Sequence, residues 1–256
     1  MVRGRPWATV RPVPGSEASQ AKADQPGVAA DEVQRRIDEL EMLRRRVLNV
    51  IPHALRTPVT TCRGLAEALR TASEAEIREE IAPALQRNAA LAERLLDDML
   101  LAAGVTTALP TGSATPIEVV GMATSVWEEV AGSRPLEVEG EEVRVHVNAG
   151  TLERILHHVL DNAAKYGADP TVLRVRPANG EIVIEVESPG GELAEVMDIG
   201  LVTEPFYRGE RAVTRAAGLG VGLPVARALA VHAGGNLHVG KGHRGGLMVT
   251  VELQRA

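Results

Sequence analysis

The sequence predicts an α+β chain, an antiparallel helical hairpin followed by a mixed α/β sandwich. Three observations lead there. Apolar residues recur at spacings of three and four from Asp31 to about residue 104. A Thr/Pro/Gly/Ser/Ala stretch then interrupts that period at 106–115. After it, helical patterns alternate with short β-branched runs. At 256 residues the chain suffices for one large domain or two small ones, and 45% hydrophobic residues are enough to build a core.

Residues 1–30 mix Pro, Gly, Ser and Ala without a hydrophobic period and read as a disordered arm. From Asp31, a candidate N-cap, the residues Val33, Ile37, Leu40, Leu43, Val47, Ile51 and Leu55 mark one helix face, with Arg and Glu opposite. A bend is expected at Pro58, because proline removes a backbone donor and clashes with the preceding turn. The turn falls at Thr71-Ala72-Ser73, and a second helix carries Ile77, Ile81, Leu85, Ala92, Leu95 and Met99 on one face, with Pro83 near its first turns. These stripes are too wide for one partner helix to cover, so the hairpin (31–104) is expected to pair with a second copy as a four-helix bundle. Residues 105–115 read as a linker. In 116–256 the pattern gives a helix at Glu118–Ala131, strands near Leu136–Val138 and Val143–Val147, and a helix at Gly150–Tyr166. Strands at Val172–Arg176 and Ile182–Glu187 follow, then a long Gly/Glu-rich connection, a helix at Leu223–His232, and a closing hairpin of Asn236–Val239 and Leu247–Leu253.

Composition excludes several functions. A net charge of −6 gives no electrostatic footprint for nucleic acid. The single cysteine, Cys62, rules out an internal disulfide framework and fits a reducing compartment. No apolar run approaches the ~18 residues of a membrane span, and the N-terminal arginines lack the apolar segment of a secretory signal. The chain therefore reads as soluble and cytoplasmic.

Three segments carry chemistry. His53, in Ile51-Pro52-His53-Ala54-Leu55-Arg56-Thr57-Pro58, is the one histidine of the hairpin, and a neutral imidazole is a competent nucleophile near neutral pH. In the helix ending at Tyr166, Asn162 and Lys165 share a face. An amide oxygen suits Mg²⁺, a lysine neutralises phosphate, and Tyr166 can lie against a base. Gly218-Leu219-Gly220-Val221-Gly222-Leu223 opens a helix, whose N–H groups and dipole favour phosphate. Three of the five aromatic residues, Tyr166, Phe206 and Tyr207, fall in or beside these segments. Each segment alone also fits a structural role; together they point to phosphoryl transfer from a nucleotide to His53.

In their order and separation these motifs resemble the kinase core of bacterial two-component sensor histidine kinases. His53–Pro58 is similar to the phosphoacceptor box, Leu156–Tyr166 to the asparagine box, Glu204–Arg208 to the phenylalanine box, and Gly218–Leu223 to the second glycine box. The resemblance spans roughly residues 32–256. It implies a dimerisation and histidine-phosphotransfer hairpin and an ATP-binding domain of the type shared with gyrase and the Hsp90 chaperones. It implies that ATP with Mg²⁺ phosphorylates His53, with Arg56 and Thr57 in the same box, and that an aspartate of a response regulator then receives the group. By resemblance Asn162 holds Mg²⁺, Lys165 meets the phosphates, Tyr166 lies along the nucleotide, Phe206 belongs to the lid, and Gly218 to Leu223 shape its phosphate-facing loop. With no sensory domain in the sequence, a separate partner, the N-terminal arm or the dimer geometry is expected to deliver the signal.

Three positions depart from the family pattern. Ala54 stands where an acid usually follows the histidine, His158 replaces the first asparagine of its box, and Ser188 stands where an aspartate reads adenine. Glu187, one residue away, is expected to point to the opposite face of the strand. These departures leave open a non-ATP-binding phosphotransfer protein or scaffold. An ATPase or serine/threonine kinase on the same ATP fold is a third reading.

Overall fold

The computed structural model describes residues 34, 55–104, 109–190, 199–207 and 219–256. The chain divides into two units, Met1–Arg46 and Val47–Ala256, and every described residue except Gln34 belongs to the second. The expected N-terminal arm and His53 lie outside the described residues.

Helix α1 is described over residues 55–68 and runs through Pro58, which is buried. Ser73 then starts the second limb with a capping box: its side chain accepts from the Glu76 N–H, and the Glu76 carboxylate accepts from the Ser73 N–H at 2.7 Å. The limb passes from Glu74–Glu76 through a π-helical stretch, Ile77–Ile81, into α2, Ala82–Ala102. Pro83 lies just beyond this stretch. The wider turn belongs where a proline cannot supply its N–H to the helical ladder. Gly104, at φ +82°, follows the helix end, a position that suits a residue without a Cβ.

The C-terminal part is a two-layer α/β sandwich. Strand β1 (Thr115–Glu118) pairs antiparallel with β3 (Arg144–Val147) in a small ribbon. The expected linker thus gives way to a strand at Thr115, which the polar sequence before Ile117 concealed. The main sheet has five strands: β2 (Leu136–Gly140), β4 (Thr171–Ala178), β5 (Glu181–Ser188), β6 (Asn236–Lys241) and β7 (Leu247–Gln254), in the order β2-β4-β5-β7-β6. Only the β2–β4 pairing is parallel. Helices α3 (Val119–Ala131), α4 (Ala149–Tyr166) and α5 (Gly222–His232) form the other layer, with α4 packed between α3 and α5. The expected elements from residue 118 onward all appear, with ends shifted by one to a few residues.

Helix α4 is the keel of this domain. Leu152, Ile155, Leu156, Val159 and Leu160 are at most 1% exposed, each contributing about 1.5–3 kcal/mol of burial. Their three-and-four spacing turns Asn162 toward the partly open flank.

Candidate nucleotide site and its link to the hairpin

Helix α4 is fixed at both ends. Asn148 caps its start, accepting from the Thr151 N–H at 3.1 Å. Its C-terminus is held by Arg134, which no motif or spacing singles out. That guanidinium donates to the Ala164 carbonyl, to the Gly167 carbonyl at 3.2 Å, and twice to Asp169 at 2.8 and 2.6 Å. Its own carbonyl accepts from the buried Trp127 indole at 2.8 Å, and the guanidinium lies 5.9 Å from that ring. A cation at a helix C-terminus also complements the dipole.

On the helix so fixed, Asn162 is half-buried, Lys165 is exposed and Tyr166 is half-buried at the last position. Lys165 donates to Asp161 at 2.6 Å rather than standing alone, so a phosphate would have to compete with that exposed pair. Gly167 follows. A Cβ there would come within 2.2 Å of the Ser188 Cβ and 2.7 Å of the Ala163 carbonyl oxygen. This glycine lets the end of β5 close on the end of α4, which brings Ser188 to the helix that bears Asn162.

Glu187 points the other way, as the strand alternation requires. It is fully buried, accepts from Arg174 at 2.6 Å and from the Arg244 N–H at 2.9 Å, and belongs to the sheet face away from α4. Burial pushes its carboxyl up, but the Arg174 bond, the Arg244 N–H and the nearby positive charges outweigh that and hold it below the usual carboxylate range. On the neighbouring strand, one residue before the Val172–Glu187 pair, Thr171 begins β4 with a hydroxyl that is buried and unpartnered among the described residues.

The phenylalanine and glycine segments meet directly. Phe206, buried and at φ +62°, donates its N–H to the Gly220 carbonyl at 2.8 Å. A bulky residue at positive φ is strained, which marks this as a held conformation rather than a slack loop. Gly220 itself has φ +68°, a conformation glycine adopts without cost. Val221, at the N-cap of α5, makes no side-chain cap, so among the described residues the first N–H groups, at Gly222 and Leu223, are left for another acceptor. Leu219 is half-buried, and Val221 and Leu223 are buried beneath. Gly218 lies outside the described residues.

On the hairpin, Arg56 and Thr57 are exposed on α1, where the Thr57 carbonyl accepts from the Thr61 hydroxyl at 3.0 Å. The far end of α2 contacts α4. Asp98, 8% exposed, accepts from Arg154 at 2.6 Å and lies 3.3 Å from the His158 Nε2. Burial pushes Asp98 up, but the hydrogen bonds and charges of His158 and Arg154 prevail and hold it below its ordinary value. The neighbouring His157 is held down chiefly by burial and then by the charge of His158. The His158 Nδ1 would lie 3.5 Å from a Cβ on Gly222. The residue that replaces the family's asparagine therefore stands between the hairpin and the glycine loop. Neither Asp98 nor Gly167 carried a motif signal.

Comparison with known proteins agrees with this arrangement. Residues 43–104 match the model of the His Kinase A (phospho-acceptor) domain, and residues 147–256 match that of the histidine kinase-, DNA gyrase B- and HSP90-like ATPase. Sensor protein KdpD of Mycobacterium tuberculosis is 30% identical over 232 residues, covering 85% of this chain and 26% of KdpD. Sensor protein CutS of Streptomyces coelicolor is 29% identical, covering 98% of this chain and 64% of CutS. The chain thus spans about a quarter of the KdpD length. In fold it is similar to full-length ShkA, with TM-score 0.53 and 22% identity, covering 83% of this chain and 46% of that one. Acinetobacter baumannii histidine kinase AdeS gives TM-score 0.50 and 16% identity, covering 79% and 98%. With both domain models matched in the same order as the motifs and described helices and sheet, the chain belongs to the two-component sensor histidine kinases.

Proposed function

We propose that this chain is a histidine kinase core that moves the γ-phosphate of ATP to His53 and then to an aspartate on a response-regulator receiver domain. The observation that carries the nucleotide half of this reading is the uncapped start of α5 joined to Phe206 through Gly220, beside the helix that bears Asn162. Free N–H groups at a helix start, with a lysine one helix away, suit a triphosphate.

In the transfer, a His53 ring nitrogen forms a bond to the γ-phosphorus while the bond from that phosphorus to the bridging oxygen of ADP breaks. The ring proton passes to solvent, since Ala54 offers no carboxylate. Gly220 to Leu223 hold the phosphates, Lys165 exchanges Asp161 for phosphate oxygen, and Tyr166 lies along the nucleoside. Ser188 meets the base as a neutral hydroxyl. A neutral hydrogen bond is roughly half as strong as a charge-assisted one, so base recognition is weaker than a carboxylate would give. Mg²⁺ would be held by the Asn162 amide oxygen, phosphates and water, in keeping with the few protein ligands this ion takes, and would supply charge neutralisation. Arg56 and Thr57 follow the acceptor in sequence and are exposed on α1.

The hairpin supports a homodimer. Val59 is 58% exposed, Leu96 46% and Leu91 39%, apolar side chains that a second hairpin would cover. Among the described residues no helix is long and apolar enough to cross a membrane. Domain limits of 31–104 for the hairpin and 116–256 for the ATP-binding domain fit this division of labour.

Incubation with γ-labelled ATP and Mg²⁺ tests the reading. An acid-labile label is expected on the protein and absent from His53→Ala. Nucleotide binding without any label would refute the transfer step.

A further inference from the structure

A buried carboxylate outside the kinase motifs, that of Asp98, meets two side chains of α4. Asp98 sits one turn before the end of α2, among Met99, Leu101 and Ala102, which are 3–9% exposed. Its carboxylate reaches out of the hairpin to Arg154 at 2.6 Å and His158 at 3.3 Å, both on α4. These side chains are 20% and 14% exposed, so the three groups are largely shielded from solvent. A carboxylate taken out of water in this way is stable only while paired, and removing one partner leaves an uncompensated charge.

The placement is informative. Arg154, His158 and Asn162 lie at successive turns of α4 and so follow one stripe of that helix. The other side of the His158 ring faces the start of α5, with its Nδ1 3.5 Å from a Cβ position on Gly222. The contact also lies immediately before the connection between hairpin and sandwich, since α2 ends at Ala102 and β1 begins at Thr115. A clamp next to a connection fixes the direction in which the following domain is carried.

We propose that Asp98 is a positioning residue for phosphoryl transfer: through Arg154 and His158 it sets the orientation of the helical hairpin relative to the nucleotide helix and the glycine loop. This rests on the kinase reading above. Transfer depends on holding donor and acceptor groups in register, and the acceptor and nucleotide segments belong to the two parts that Asp98 joins. His158 then has a role of its own in this chain, carrying the hairpin contact to Gly222.

The test separates rate from binding in the full chain. Asp98→Asn keeps the size of the side chain and removes its charge. The initial rate of His53 labelling at saturating Mg-ATP is expected to fall by about tenfold or more, while the calorimetric Kd for Mg-ATP stays within about twofold. Arg154→Met is expected to produce a similar fall. The double variant should fall no further than Asp98→Asn alone, because the loss in that variant already includes the Arg154 contact. A urea midpoint for each variant reports whether the fold is retained. A labelling rate within about twofold of the parent in Asp98→Asn would overturn the proposal. So would a rise in rate, which would make the contact a resting lock, or a loss of affinity equal to the loss of rate, which would make it part of the pocket. Additive losses in the double variant would also overturn it. A parent chain that binds Mg-ATP without labelling would instead bring down the kinase reading itself.

Discussion

Replacing Arg134 by alanine is expected to destabilise the C-terminal domain by about 3–5 kcal/mol. The magnitude follows from what the guanidinium holds. In its pair with Asp169 two donors share the single Oδ1 oxygen, and the side chains are 30% and 44% exposed, so solvent screening limits that part to about 1 kcal/mol. The bonds to the Ala164 and Gly167 carbonyls satisfy helix-end acceptors with a charged donor. Such bonds contribute about 1.5–3 kcal/mol each when shielded and roughly half that in this half-buried setting. The charge at the end of α4 adds about 0.3–1 kcal/mol. Urea unfolding, followed by Trp127 fluorescence in a Trp7→Phe background, measures the loss as a lowered midpoint at unchanged slope. Because the frayed turn would contain Lys165 and Tyr166, the Mg-ATP Kd should rise as well. Arg134→Lys, which keeps the charge but not the planar fork, should recover less than half of the stability. A midpoint unchanged in Arg134→Ala would refute the idea that this side chain secures the nucleotide helix.

Three further outcomes follow from the same geometry. Gly167→Ala forces a methyl group into the Ser188 side chain and the Ala163 carbonyl, so it should cost about 1–3 kcal/mol and weaken nucleotide binding in calorimetry. Ser188→Asp replaces a neutral acceptor by a charged one beside Gly167 and should tighten Mg-ATP binding; unchanged or weaker affinity would remove Ser188 from base recognition. Asp98 and Glu187 are both held below the usual carboxylate range, so their contribution to stability is present above about pH 4 and is lost as pH falls through their folded values. His157 is held below the usual imidazole range, so its contribution is complete above about pH 6.5 and declines as pH drops through its folded value. Urea midpoints measured across pH should show both slopes, and His157→Gln should abolish the upper one only.

Particular residues show where the sequence was legible. The apolar spacing of Leu152, Ile155, Leu156 and Val159 gave helix α4 nearly to the residue, because a keel buried on one side must repeat its period. Strands β4 and β5 were equally plain from their β-branched runs. Strand β1 was not, since Thr115-Pro116-Ile117-Glu118 has too little alternation and becomes a strand only by pairing with β3. The π-helical stretch before Pro83 was hidden for a similar reason: a proline marks an irregularity but not the form it takes.

By itself, the order of residues determined the hairpin and sandwich and the set of side chains suited to phosphoryl transfer, because periodicity and short motifs are local properties. It also determined that Glu187 faces away from Ser188, since neighbouring strand residues alternate. Only the folded chain decided that Gly167 admits Ser188 to the end of α4, that Arg134 secures that end, and that Asp98 meets Arg154 and His158. These partners are about 20 to 60 residues apart, and no local pattern encodes a contact that exists only when two separate surfaces are brought together.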